Sequence, residues 1–151
     1  METVNHIPAV RARVAGWRRE GASVALVPTM GNLHRGHVQL VKLALERAER
    51  VVVSIFVNPM QFGPRDDFDR YPRTLERDCA ALAQAGAQLV FAPEPQEMYP
   101  AGMQRSSVVD VPALAGILEG QHRPGHFRGV ATVVAKLFNI TTPDVAVFGQ
   151  K

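Results

Sequence analysis

Two histidines, His34 and His37, stand three residues apart in the run PTMGNLHRGH, residues 28–37. Imidazoles at that spacing can reach the same anion, each as a hydrogen-bond donor and, when protonated, as a cation. Gly31 and Gly36 lie in the same run, and glycine permits close backbone approach and torsions that other residues avoid. The segment before the run is apolar and rich in β-branched residues; the one after it is amphipathic. The pair therefore falls where a strand hands over to a helix, whose first turn directs unpaired N–H groups and a positive dipole end outward. Phosphate is the ligand such a mouth suits. An isolated HxxH pair also fits a structural role, and a zinc site would need third and fourth ligands that the sequence does not place.

Other chemistry-bearing residues are scattered further along. The loop HRPGHFRG, residues 122–129, gathers Arg123, His126 and Arg128 around two glycines. Bidentate arginine contacts there could clamp a carboxylate or phosphate; the same loop reads equally as a turn whose arginines meet solvent or a partner subunit. Asn58, just past an apolar run, is a candidate substrate contact or a turn-former. Asp66, Asp67, Asp69 and Asp78 offer carboxylates, but acidic loops are commonly just solvated, and no metal ligand is assigned. Lys151 follows the last expected strand, where it can carry a point charge to phosphates.

The elements that must position these groups alternate strand and helix, the pattern of a parallel sheet with helices on its faces. Residues 7–19 place Ile7, Val10, Val14 and Trp17 at helical spacing. Residues 23–29 (SVALVPT) read as a strand and residues 36–50 as a helix, while residues 51–57 (VVVSIFV) are apolar throughout, as a strand buried on both faces must be. These three make one βαβ unit, right-handed by rule. A helix over 74–85, stopped by Gly86, and a strand over 88–92 follow. The proline-rich residues 92–100 are expected to be irregular, residues 106–111 to form a short strand, and 112–118 a short helix. A longer helix over 129–139 and a strand over 145–148 close the chain. In a doubly wound sheet, ligands bind at the carboxyl edge of the strands. A buried strand, a glycine turn, two histidines and a helix start together make an HxGH-type adenylate-forming signature, in which the imidazoles offset charge building on the α and β phosphates of ATP as pyrophosphate leaves.

Composition narrows the class. With 151 residues, 46% of them hydrophobic, the chain can close one core, so a single domain over 1–151 is expected. No stretch approaches the ~20 apolar residues that cross a bilayer, so a soluble protein with no membrane partner is expected. The N-terminus lacks the features of a secretory signal, and the lone Cys79 cannot close an internal disulfide; both agree with the cytoplasm. The net charge of +3 comes from 17 basic and 14 acidic residues spread along the chain. Only Arg11, Arg13, Arg18 and Arg19 cluster, on one helix, which reads as a solvated face rather than a nucleic-acid surface. A mildly basic domain favours an anionic small molecule.

Four motifs in order, MGNLHRGH (30–37), SIFVNPMQFGPRDDFDRYPRT (54–74), LEGQHRPGHFRGVATVV (118–134) and FGQK (148–151), resemble the pantothenate synthetases, the pantoate–β-alanine ligases, from the first of these strands to the last residue. The resemblance implies a Rossmann-like α/β fold of the HxGH nucleotidyltransferase type, with ATP as co-substrate and Mg2+ as cofactor. It implies that ATP is bound by Met30, Gly31, Asn32, Leu33, His34, Arg35, Gly36 and His37, and again by Gly149, Gln150 and Lys151. It implies catalytic roles for His34 and His37, the latter as proton donor, and contacts from Gln61 and Asn58 to pantoate beside β-alanine. It implies a homodimer. Family members continue past the lysine into a smaller C-terminal domain that covers ATP, so this chain is expected to be an N-terminal part that binds ATP weakly and turns over little. The rival readings are another HxGH nucleotidyltransferase, such as one that adenylates a phosphopantetheine, a class I aminoacyl-tRNA synthetase, and an inactive nucleotide-binding or dimerisation module. The NPMQFG segment argues against the first, and the absence of a tRNA-sized basic surface against the second.

Overall fold

The computed structural model describes every residue except 64, 65, 67, 116–118 and 151. Lys151 and Asp67 thus lie outside the described residues, as does part of the short helix expected over 112–118. Five strands form one parallel sheet: β1 (Glu2–Val4), β2 (Val24–Thr29), β3 (Arg50–Ile55), β4 (Leu89–Phe91) and β5 (Val145–Ala146), in the spatial order β1-β4-β3-β2-β5. The helices are α1 (Ile7–Arg19), α2 (Arg35–Leu45), α3 (Leu75–Ala85), α4 (Pro95–Met98), α5 (Pro112–Ala115), α6 (Glu119–His122) and α7 (His126–Thr141).

Alternation along each strand sorts the core into two layers. Val24 and Leu26 of β2, Val52 of β3, and Leu89 and Phe91 of β4 pack with Val10, Val14 and Trp17 of α1 and with Val133, Leu137 and Ile140 of α7. Ala25 and Val27, Val51 and Val53, and Val90 face the other way, onto Val41 and Ala44 of α2 and Leu82 of α3. Both faces being covered is why β2 and β3 carry no polar alternation. Each fully buried Val or Leu of this kind contributes about 1.5–3 kcal/mol. From β2 the chain steps through α2 to β3 and through α3 to β4, then returns along α7 to place β5 on the other side of β2. The strand order therefore reverses at β2, the switch point outside whose carboxyl end a ligand crevice opens.

Several boundaries differ from the sequence reading. β1 has no counterpart in it: the three residues ETV carry no periodic signal, and the strand exists only because Glu2, Thr3 and Val4 pair with Leu89, Val90 and Phe91. α2 stops at Leu45, and Arg50 belongs to β3. Residues 92–100 are not wholly irregular, since Pro95 opens the short helix α4, a first-turn position where its missing N–H costs nothing. No strand forms over 106–111; the Val109 N–H donates to Thr132 Oγ1 on α7 at 2.9 Å instead of to a neighbouring strand. α7 begins three residues before the expected start, after Gly125 at φ 81°. Arg128 and Gly129 are therefore helical. β5 ends at Ala146, leaving Phe148 beyond the strand.

Candidate active site

Everything singled out around the histidines stands at the carboxyl edge of the sheet. Thr29 ends β2, and its hydroxyl donates to the Ser54 carbonyl at 2.8 Å while accepting from the Gly31 N–H at 3.2 Å. Gly31 and Asn32 then take left-handed torsions, φ 82° and 50°. A methyl at Gly31 would come within 3.1 Å of the Ile55 side chain and 3.2 Å of a carboxylate oxygen of Asp78. Met30 and Gly31 line a cleft of about 230 Å3 over the ends of β2, β3 and β4.

His34 is the N-cap of α2, in extended conformation, and the two imidazoles close the helix end on themselves. Its Nδ1 accepts from the Gly36 N–H at 3.0 Å, and Nδ1 of His37 accepts from the His34 N–H at 3.3 Å. This is a capping box built from histidines, in which two otherwise orphaned donors of the first turn are satisfied. A neutral ring whose Nδ1 accepts carries its proton on Nε2, so Nδ1 of each imidazole is turned toward the backbone of the helix end. The rings lie 4.2 Å apart between centroids, tilted by 51°. His34 is exposed and His37 half-buried. Gly36 lies close under the ring of its cap: a Cβ there would stand 2.8 Å from Cε1 of His34, so the ring would have to turn. Arg35 is exposed at the same helix mouth.

Gly149 and Gln150 follow β5, whose Ala146 pairs with Leu26 of β2. Both Gly149 and Gln150 are exposed. Asp144 sets this register: its carboxylate accepts from the Val24 N–H at 2.8 Å, and that bond, with the Arg18 guanidinium beside it, holds the carboxyl below its ordinary value.

Beyond β3, Asn58 and Gln61 belong to a short 3-10 turn over Pro59–Gln61. Asn58 is 1% exposed and its amide is fully used. Nδ2 donates to Gln61 Oε1 and to the Gly129 carbonyl, each at 3.1 Å, while Oδ1 accepts from the Tyr99 hydroxyl at 2.7 Å and the Met60 N–H at 3.3 Å. Burial pushes the Tyr99 phenol up to about 12, so it remains a donor. Asn58 thus orients Gln61: with Oε1 taken, the Nε2 donors of Gln61 are those left over, at the edge of a second cavity of about 500 Å3 that His126 and Arg128 also line.

The loop 122–129 has more internal work than its sequence indicates. Arg123 pairs with Asp66 at 3.1 Å, and Asp66 also accepts from the Gly63 N–H at 2.9 Å. The Gly63 bond first, then Arg123, hold that carboxyl below its usual range. His126 Nδ1 meets the Gln61 carbonyl at 3.0 Å. Gly129 touches the turn so closely that a Cβ would stand 2.5 Å from the Met60 carbonyl oxygen. Arg128 is the exposed arginine of the three groups. Asp78, which the sequence reading grouped with solvated loop carboxylates, is instead a residue of α3, 1% exposed, and accepts from the backbone of the turn before His34. Its spacing of four from the buried Leu82 on α3 put it on the inner stripe of that helix, the signal that could have found it.

A doubly wound parallel sheet with an imidazole pair at the first helix past its switch strand defines the class: a Rossmann-like fold of the nucleotidyltransferase type. Within that class the chain belongs to the pantoate–β-alanine ligase family, whose model matches residues 2–151. It is 60% identical over all 151 residues to pantothenate synthetases of Aeromonas hydrophila and Shewanella loihica, and it covers 53% and 54% of those proteins. It superposes on the pantothenate synthetase of Thermus thermophilus with a TM-score of 0.88 at 52% identity, over 97% of this chain and 51% of that one. The pantoate–β-alanine ligase of Francisella tularensis, solved with β-γ ATP and β-alanine, superposes with a TM-score of 0.89 at 37% identity, over 97% of this chain and 55% of that one. The chain spans about half the length of the relatives it matches.

Proposed function

We propose that this chain is the nucleotide-binding part of an ATP-dependent ligase that condenses pantoate with β-alanine. The observation that carries the reading is the reciprocal imidazole cap at the mouth of α2, on a chain of the pantoate–β-alanine ligase family. A pantoate carboxylate oxygen attacks the α phosphorus of ATP, the α–β bridging bond breaks, and pyrophosphate leaves. The β-alanine amine then attacks the acyl carbon of pantoyl adenylate, forming the amide and releasing AMP. The imidazoles of His34 and His37 donate to phosphate oxygens as charge moves onto them, with His37 as proton donor, and positioning supplies much of the rest. Gln61, its amide already turned by Asn58, offers Nε2–H to pantoate. Met30 and the residues from Gly31 to Gly36 hold the nucleotide, with Gly149, Gln150 and Lys151 completing the set that the family resemblance implies.

Mg2+ fits this site as an ion carried on the triphosphate. Among the described residues no three His, Cys, Asp or Glu side chains converge, and the oxygens of Asp78 are taken by protein donors. Magnesium arriving on the substrate would need no protein cage and would offset phosphate charge there. Exposed Val108, Val109 and Val111 supply an apolar strip for a second copy, in line with a homodimer. The lone Cys79 agrees with the cytoplasm, and no described helix is long and apolar enough to cross a membrane.

The test is pantoate-dependent pyrophosphate release by the intact protein. His34→Ala and His37→Ala should each lower kcat by about 10²–10³-fold, the usual loss when one donor to a developing oxyanion is removed. Undiminished release in either variant contradicts the reading.

A further inference from the structure

The turn between Thr29 and His34 is shaped by a carboxylate that arrives from another element. Asp78, in the first turn of α3, accepts at Oδ2 from the Asn32 N–H at 2.8 Å and the Thr74 hydroxyl at 3.0 Å, and at Oδ1 from the Leu33 N–H at 2.9 Å. Its only cationic neighbour among the described residues is Arg77, 3.9 Å away, whose guanidinium also donates to the Asn32 side chain at 2.8 Å. Consecutive amides that converge on one anion form a concave nest of the sort that elsewhere binds phosphate. Here the nest is filled from within. Asn32 takes a left-handed torsion, φ 50°, a region that asparagine tolerates better than most non-glycine residues.

We propose that Asp78 is a positioning residue for the imidazole pair: it fixes the Gly31–Leu33 turn from behind, and so fixes where the rings of His34 and His37 stand. This rests on the reading that the pair meets the phosphates of ATP. With the amides of Asn32 and Leu33 turned inward, phosphate is left to the imidazoles and the residues around them. Asp78 lies at the floor of the cleft beside Met30 and Gly31, but it is 1% exposed and both its oxygens are taken by protein donors. An amide in its place keeps the shape but turns an NH2 group toward donors, so one of the two backbone bonds must fail.

The experiment combines amide exchange with kinetics on the intact protein. In the wild type, the Asn32 and Leu33 amides should exchange about 100-fold more slowly than free amides, although Asn32 lies on the surface. Asp78→Asn should raise exchange at these two positions about tenfold while the β2 and β3 amides stay protected. It should lower kcat about tenfold or more with KM for β-alanine within about twofold, as expected for geometry lost at the phosphates alone. Wild-type exchange at the free rate at Asn32 and Leu33 overturns the proposal even if the variant does not fold. Acceleration spread evenly over the sheet, or an unchanged kcat, also overturns it. The exchange arm needs no substrate: a wild type that releases no pyrophosphate would remove the ligase reading and leave the role of Asp78 in the turn to be decided by exchange.

Discussion

At the level of single residues, the site depends on side chains that satisfy backbone and on glycines that let elements touch. His34 and His37 do for α2 what Ser and Glu do in an ordinary capping box, and that task dictates how the two rings stand at the helix mouth. Asn58 spends its whole amide on Gln61, Met60, Tyr99 and Gly129. Gly129 is the position where α7 meets the 3-10 turn. Gly129→Ala would put a methyl 2.5 Å from the Met60 carbonyl oxygen, a backbone atom that cannot rotate aside. The turn must shift, at a cost of about 1–3 kcal/mol, and Gln61 moves with it. Thermal unfolding should report that loss, and KM for pantoate should rise more than KM for ATP. A variant with wild-type stability and KM values would show that the contact is slack. The glycine was visible in the sequence as part of HRPGHFRG, but its role was not, because a close approach between residues 60 and 129 leaves no trace in either local pattern.

At the level of elements, β5 is the strand with least of its own to hold it: two residues, Val145 and Ala146, paired only with β2. Asp144 compensates by binding the Val24 N–H and by facing Arg18 of α1. It thereby ties three elements together just before the chain turns toward Gly149. Its folded carboxyl titrates below the unfolded one, so the stability it contributes is present at neutral pH and is lost as pH falls through the folded value. Asp66 and Glu97 act with the same sign: the Gly63 N–H and Arg123 lower the first, the His6 side chain and the Ile7 N–H the second. Thermal stability should therefore fall below about pH 4, where unfolded carboxyls take up protons. Asp144→Asn should lower the melting temperature at pH 7 and make its decline toward pH 3 shallower. A variant whose decline is as steep as the wild type's would rule Asp144 out as a contributor.

At the level of the whole molecule, what was legible in the sequence is what periodicity and burial enforce locally. β2 and β3 announced themselves as apolar runs because helices cover both faces, and α1 and α7 showed stripes at helical spacing. β1 was invisible because three residues acquire strand character only from β4. The short helix α4 was hidden by its own prolines, although Pro95 sits where proline helps. Residues 106–111 looked like a strand because Val108, Val109 and Val111 favour one, yet α7 offers a hydroxyl in place of a ladder. The histidine motif was readable because strand, turn and helix follow one another along the chain. Asp78, which braces the turn from a helix some forty-five residues on, belongs to the tertiary fold.

All of these scales serve one arrangement: two imidazoles held at the mouth of α2, where β2 ends, which we propose meet the phosphates of a nucleotide. The direct measurement is a titration of the 15N-labelled intact protein with Mg-ATP, observed at the imidazole nitrogens. The account predicts that the Nε2 signals of His34 and His37 shift together and saturably, while that of His6, beside β1 at the far edge of the sheet, stays in place. Shifts confined to His6, His122 or His126, or saturation of ATP binding with His34 and His37 unmoved, would contradict it.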